Sequence, residues 1–261
     1  MTHIIESMRE MTVDRKEELE WTAKLARMAS LAYLPSNAAG PRFKSLGFSH
    51  SKYIDYHGTQ CYVAWNADVM VVAFRGTEPN QWNDIKADLR AWLMKDDSCA
   101  GRVHTGFHHE VHKILDKVEV TIEHMRHHKK LFITGHSLGG AMATVAASKL
   151  KNVNFLCTFG SPRVGTKSFV RNIPAKHVRY VNNNDVVPTV PPSFLFYRHH
   201  GEERYINYHG NIRKMTFWQR VKDQWRGRIS SFKKKIPFDG IYDHDVKYYI
   251  RYTEIQRDND D

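Results

Sequence analysis

Leu131-Phe132-Ile133-Thr134-Gly135-His136-Ser137-Leu138-Gly139-Gly140-Ala141-Met142-Ala143-Thr144-Val145-Ala146-Ala147 passes from an apolar run, through a glycine-pinched turn, into an alanine-rich segment. That order predicts a buried strand, a sharp turn and a helix, with the Ser137 hydroxyl lifted clear of the backbone as a nucleophile. Glycines are needed there, because a side chain on either flank of the serine would collide with the strand or the helix. Ser137 Oγ would sit at the positive end of the following helix, which favours a negative charge developing beside it. Ester cleavage is the chemistry this pattern suggests.

Working outward, Leu19, Trp21, Leu25, Met28 and Leu31 recur at helical spacing before Pro35, which predicts a packing helix. Tyr53–Tyr56, Thr59–Trp65 and Val69–Phe74 read as three strands, the last two joined by Asn66-Ala67-Asp68. Val111, Ile114, Leu115, Val118, Ile122 and Met125 form the apolar stripe of a long helix leading into the Ser137 strand. Val153–Phe159 and His177–Val181 read as further buried strands, separated by a helical segment near Lys167–Asn172. The expected fold is α/β: a central, mostly parallel mixed sheet flanked by helices, with an antiparallel edge at its start.

The chain has 261 residues, 41% of them hydrophobic, and no linker-like stretch divides it, so residues 1–261 are read as one domain. Neither a signal-peptide pattern nor a run of eighteen apolar residues is present, which predicts no membrane span. Three cysteines, two in apolar strand-like runs and none at metal-ligand spacing, argue against a disulfide framework or a metal site and favour a reducing, cytoplasmic compartment. The net charge of +11 calls for an anionic partner, a membrane surface or nucleic acid.

A serine nucleophile needs a base and an orienting acid, and in α/β-hydrolase order the acid and then the histidine follow it in the chain. Asp185, in Asn182-Asn183-Asn184-Asp185-Val186-Val187-Pro188, lies just past a strand, where loops at the C-terminal edge of such a sheet carry reactive groups. A turn aspartate capping its own loop is the alternative. Only His199, His200, His209 and His244 come after Asp185 among sixteen histidines. His244, at the start of a final helix-like segment, is the expected base; His199 and His200 share a charged stretch and read as structural. The oxyanion hole would take the Leu138 N–H and a donor from the earlier strand end Phe74-Arg75-Gly76-Thr77, with Thr77 the candidate.

Phe74-Arg75-Gly76-Thr77, His104-Thr105-Gly106-Phe107, Gly135-His136-Ser137-Leu138-Gly139-Gly140, Phe159-Gly160-Ser161-Pro162-Arg163-Val164-Gly165, Asn184-Asp185-Val186-Val187-Pro188 and Asp243-His244 together resemble the ordered motifs of the class 3, fungal-lipase-like lipases. The resemblance spans residues 20 to 252. It implies an α/β-hydrolase fold, no cofactor, and carboxylester hydrolysis on acylglycerols or phospholipids. It also implies Ser137, Asp185 and His244 as the triad and Thr77 and Leu138 as the oxyanion hole, and it makes His199 a histidine outside the chemistry. Secreted fungal members carry a signal peptide and disulfides, which this sequence does not show. A second departure is the insert between Tyr208 and Ile241.

Lipases of this family cover the site with a helical lid after the oxyanion loop. Trp82, Ile85, Leu89, Trp92 and Leu93 make an apolar helical face there, which reads equally as a mobile lid or as a core-packing helix. Within the insert, Trp218, Val221, Trp225, Ile229 and Phe232 repeat at helical spacing. Cations, among them Arg226, Arg228, Lys233, Lys234 and Lys235, fill much of the remainder. This is the pattern of a helix lying on an anionic membrane. A solvated helix packing its stripe on the domain is the alternative, and nucleic acid is disfavoured because no reader motif accompanies the charge. Gly227 suggests a helix in two pieces. A catalytically idle lipase scaffold, held at a membrane by the insert, is the competing functional reading.

Overall fold

Unbroken burial along the central strands, covered on both sides, builds a sheet with two apolar faces. The computed structural model describes residues 15–77, 92–96, 100–125, 129–213, 215–233 and 239–259. Two helices, α1 (Arg15–Leu31) and α2 (Ser36–Ser45), lead into an antiparallel meander of β1 (His50–Tyr56), β2 (Thr59–Trp65) and β3 (Val69–Phe74). A short separate ribbon, β4 (Leu93–Lys95) with β5 (Arg102–His104), precedes the long helix α3 (Thr105–Met125). Then come β6 (Lys130–His136), α4 (Leu138–Ala147), β7 (Val153–Phe159), α5 (Lys167–Arg171) and β8 (His177–Asn182). Strands β9 (Glu202–Ile206) and β10 (Ile212–Arg213) follow, and helices α6 (Phe217–Lys233), α7 (Asp239–Tyr242) and α8 (Val246–Asn259) complete the order.

The main sheet has eight strands in the order β1-β2-β3-β6-β7-β8-β9-β10. Pairing is parallel from β3 through β9 and antiparallel at both edges, so the fold is α/β with a mostly parallel mixed sheet. Period-two alternation sends Phe132, Phe155, Cys157 and Phe159 to one face, against Leu25, Met28, Phe43 and Tyr249 from the helices there. Leu131, Ile133 and Leu156 go to the other face, against Val111, Ile114, Val118 and the alanines of α4. Each fully buried phenylalanine contributes about 2–3 kcal/mol of transfer free energy. Small residues on α4 let it lie close on the sheet, which keeps the β6-to-α4 turn tight.

Differences from the sequence reading lie mainly in charged segments. Glu202-Glu203-Arg204-Tyr205-Ile206 is a parallel strand, stabilised by the cross-strand pair Arg179–Glu203 at 2.8 Å and by Glu18 of α1 near Arg204. Helix α6 runs unbroken through Gly227, where two pieces were expected. A methyl group at Gly227 would come within 2.5 Å of the Asn183 side-chain nitrogen and 2.6 Å of that of Asn184, so the glycine serves close packing and not a break. No helix among the described residues is long and apolar enough to cross a membrane.

Candidate active site

Strand β6 ends at His136, and the next residue turns the chain at φ 57°, ψ −131° before α4 begins. A non-glycine residue held in that region is strained by the order of 1–3 kcal/mol, so the surroundings must enforce it. They do so by close backbone approach: a methyl group on Gly135 would lie 2.3 Å from the Gly139 carbonyl, and one on Gly139 would lie 2.4 Å from the Phe74 oxygen. Strand end, turn and the Phe74–Gly76 loop are thus pressed together. The Ser137 N–H donates to Phe159 O at 3.0 Å, tying the turn to the end of β7.

Asp185 leaves the end of β8 in a turn closed by its own N–H to Asn182 O at 2.7 Å. Its Oδ1 accepts the Val187 N–H at 2.9 Å, and its Oδ2 accepts His244 Nδ1 at 2.8 Å and the Tyr249 hydroxyl. The aspartate and histidine side chains are both fully buried. Because the carboxylate accepts, Nδ1 carries a proton, and in the neutral imidazole Nε2 then keeps its lone pair. Burial and the adjacent Asp185 push the Tyr249 hydroxyl well above the usual tyrosine range, so it remains a donor.

The backbone of His244 is held by His136, whose Nε2 lies 2.7 Å from His244 O, with ring centroids 4.5 Å apart. A carbonyl only accepts, so Nε2 is protonated and Nδ1 accepts from the Tyr33 hydroxyl at 3.0 Å. Burial first, and His244 second, hold His136 well below the usual imidazole range, keeping it neutral. Asn182 Nδ2 adds a bond to Asp243 O at 2.9 Å, and the Asn184 N–H one to Asp243 Oδ2 at 3.1 Å.

The structure joins Asp185 to His244 directly, while Ser137 is not hydrogen-bonded to His244. Ser137 Oγ and His244 Nε2 are both buried polar atoms with no hydrogen-bond partner among the described residues. Each such atom costs about 1–3 kcal/mol, a cost that marks the place where a ligand or a chemical step would supply the partner. Gly160, at φ +57°, packs against the pair: a methyl group there would stand 2.8 Å from Asp185 Oδ2 and 2.9 Å from His244 Nδ1. Of the other late histidines, His199 Nε2 donates to Pro188 O at 2.8 Å and His200 meets His177 at 3.1 Å.

Leu138 is the first residue of α4, and N–H groups of a first helical turn have no partner inside the helix. Leu138 and Thr77 line one cavity of about 450 Å³, together with Gln60, Arg75, Phe107, Glu110 and Met142. Both apolar and polar side chains line it, and Arg75 Nη1 donates to Gln60 Oε1 at 2.7 Å. The lid candidates Trp82, Ile85 and Leu89 lie outside the described residues; Trp92, just before β4, is 87% exposed.

In the insert, Lys234 and Lys235 lie outside the described residues, and Arg228 and Lys233 are described only as backbone of α6. That helix docks by a polar face: Arg220 meets Glu203, and Asp223 Oδ2 accepts the Tyr208 N–H at 2.9 Å and the Tyr205 hydroxyl at 3.2 Å. Trp218 and Trp225, seven residues apart, point the other way, 76% and 60% exposed, beside exposed Lys222 and Arg226. The alternative in which the tryptophan stripe packs on the domain does not hold at these two positions.

Sequence reasoning passed over Tyr249, Gly160, His136 and Tyr33 as parts of this site. Gly160 and His136 did sit inside quoted motifs, which was a signal; Tyr249 and Tyr33 carried none.

A model of the family described as Lipase (class 3) matches residues 71–195. The chain is 36% identical over 114 residues to secreted mono- and diacylglycerol lipase 1 of Fusarium solani, covering 40% of this chain and 34% of that one. It is 31% identical over 190 residues to the lipase of Rhizopus oryzae, covering 66% and 46%. The chain thus spans less than half the length of these curated relatives. Its fold is similar to that of the triacylglyceride lipase of Rhizomucor miehei, with a TM-score of 0.65 and 23% identity over 89% of this chain and 94% of that one. The glycine-pinched serine turn, the mixed sheet and the matched region agree: over residues 71–195 the chain is similar to the class 3 lipases, and it shares the mixed α/β fold of the solved lipases.

Proposed function

We propose that the protein hydrolyses carboxylic esters of lipids, acylglycerols or phospholipids, through an acyl-enzyme on Ser137. The observation that carries this reading is the buried Asp185–His244 pair, whose Nε2, like Ser137 Oγ, has no hydrogen-bond partner among the described residues. Ser137 Oγ attacks the ester carbonyl carbon while its proton passes to His244 Nε2. Negative charge on the carbonyl oxygen is met by the Leu138 N–H and by Thr77. The C–O bond to the alcohol breaks as His244 returns the proton to the leaving oxygen. Water then attacks the acyl carbon, giving its proton to His244, and the fatty acid leaves with Ser137 Oγ regaining that proton. Asp185, fixed by Tyr249 and Val187, stabilises the imidazolium formed in each half.

Neither Ser137 nor His244 touches solvent, so an ester reaches them only after the cover over the site shifts. A lid carrying Trp82, Ile85, Leu89 and Trp92 that opens at a lipid surface accounts for this. Exposed Trp218 and Trp225, with Lys222 and Arg226, support peripheral docking of α6 on an anionic membrane. The buried, unpaired Cys61 and Cys157 support a reducing compartment, the cytoplasm, although the Fusarium relative is described as secreted.

Turnover of a short-chain p-nitrophenyl ester tests the reading. Ser137→Ala is expected to lower kcat by about 10⁴-fold or more. Equal rates for wild type and variant would favour the idle scaffold.

A further inference from the structure

Ser193-Phe194-Leu195-Phe196 places three large apolar side chains in a row on the surface. They are 78%, 49% and 73% exposed. Scattered single apolar residues on a surface need no explanation, but three consecutive ones at a tip do. The tip is braced from below. Leu195 N donates to Pro192 O and Phe196 N to Ser193 O, each at 3.1 Å, and Arg198 Nη1 donates to Ser193 O at 2.6 Å and Tyr197 O at 2.7 Å. Tyr197, the next residue, is buried, so it anchors the turn while its three predecessors face water.

The base of this loop is tied to the reactive edge of the sheet. Chain leaves Asp185, passes through the 3₁₀ turn Val187–Thr189, and is held by Arg163 N to Val190 O at 2.9 Å and Arg198 N to Gly165 O at 2.7 Å. Arg163 and Gly165 follow β7, so the tip and Ser137 depart from the same C-terminal edge of the parallel strands. On the other flank of the Asp185 turn, Gly227 of α6 packs on Asn183 and Asn184, with Trp218, Lys222, Trp225 and Arg226 outward. An uncharged apolar tip and a basic aromatic helix therefore flank one acid turn.

We propose that Phe194, Leu195 and Phe196 form a wedge that inserts at the acyl-chain boundary of an anionic bilayer while α6 lies on its head groups. The proposal rests on the membrane-docking reading above and names its inserting element. Charge complementarity selects the occupant: exposed Lys222 and Arg226 on α6 and the net charge of +11 suit an anionic lipid surface. The braced turn presents the three side chains without an ordering cost at each docking event.

Cosedimentation of the full chain with phosphatidylcholine vesicles, and with 3:1 phosphatidylcholine–phosphatidylglycerol vesicles, tests this at low and high salt. Phe194→Ser combined with Phe196→Ser is expected to lower partitioning at least tenfold on anionic vesicles, and to remove the salt-resistant fraction on both. Lys222→Gln with Arg226→Gln should weaken anionic binding only, and only at low salt. Soluble-ester turnover should stay within twofold of wild type in both variants; if the serine pair loses it, Leu195→Ser carries the same comparison. Unchanged partitioning of the serine variants, or a wild-type chain that binds neither vesicle, overturns the wedge. So does a dimer in sedimentation that the serine variants dissociate, which would assign the surface to a second copy. Vesicle binding requires no turnover, so a chain that binds through the wedge yet hydrolyses nothing would refute the hydrolase reading alone.

Discussion

His136 donates from Nε2 to the backbone oxygen of His244 across 2.7 Å, so the residue before the proposed nucleophile also sets the position of the proposed base. Replacing it with phenylalanine keeps an aromatic ring, somewhat larger, but removes the donor. Misplacing a reacting group by about 1 Å can cost about 10²-fold. His136→Phe is therefore expected to lower kcat by about that factor with little change in KM, measured on a soluble ester. Equal kcat values would show that the contact has no positioning role.

Gly160 leaves no room for a side chain. Alanine there combines a left-handed backbone with a methyl group 2.8 Å from Asp185 Oδ2 and 2.9 Å from His244 Nδ1. Overpacking of this kind costs about 1–3 kcal/mol, and the easiest relief is to push the imidazole off the carboxylate. Gly160→Ala should abolish most activity while losing only a few degrees of Tm; an active, unshifted variant would contradict the packing argument.

Tyr249→Phe removes one of the donors on Asp185 Oδ2 and also the acceptor of the Asn182 N–H at 3.1 Å. A buried donor left unsatisfied costs about 1–3 kcal/mol. Chemical denaturation should register that loss, and kcat should fall about tenfold as the carboxylate gains freedom. Stability unchanged within error would mean that water replaces the hydroxyl.

Acid should unfold the chain before carboxylates are protonated. His136, His177 and His199 are each held well below the ordinary imidazole range, with burial the first cause in all three. The unfolded chain binds protons below a pH of about 6.5 while the folded chain does not, so stability is full above that value and falls as pH drops through it. Each histidine contributes a slope of about 1.4 kcal/mol per pH unit until its folded value is reached. Thermal melts between pH 8 and 5 should show Tm constant above neutrality and dropping below it. A flat profile would mean that these imidazoles are protonated when folded.

Much of the architecture could be read from local pattern. β2, β3 and β7 have the expected bounds because continuous apolar runs between turn residues admit little else. Strand β9 was hidden because its glutamates and arginine look like a solvated loop; its pairing depends on Arg179 and Glu18, which are distant in sequence. The proposed Asp185–His244 partnership followed from chain order, whereas Tyr249 and Tyr33 act through contacts made only when α8 and α1 close on the sheet. Nothing in the spacing of a helix tells which of its tyrosines will meet a carboxylate.

Helix α6 is fastened by Arg220, Asp223 and Gly227, while Trp225 and its neighbours Lys222 and Arg226 face outward. These three exposed positions can therefore vary at little cost to folding. Selection can adjust which surface the protein visits by changing a few outward positions, leaving the proposed catalytic centre untouched.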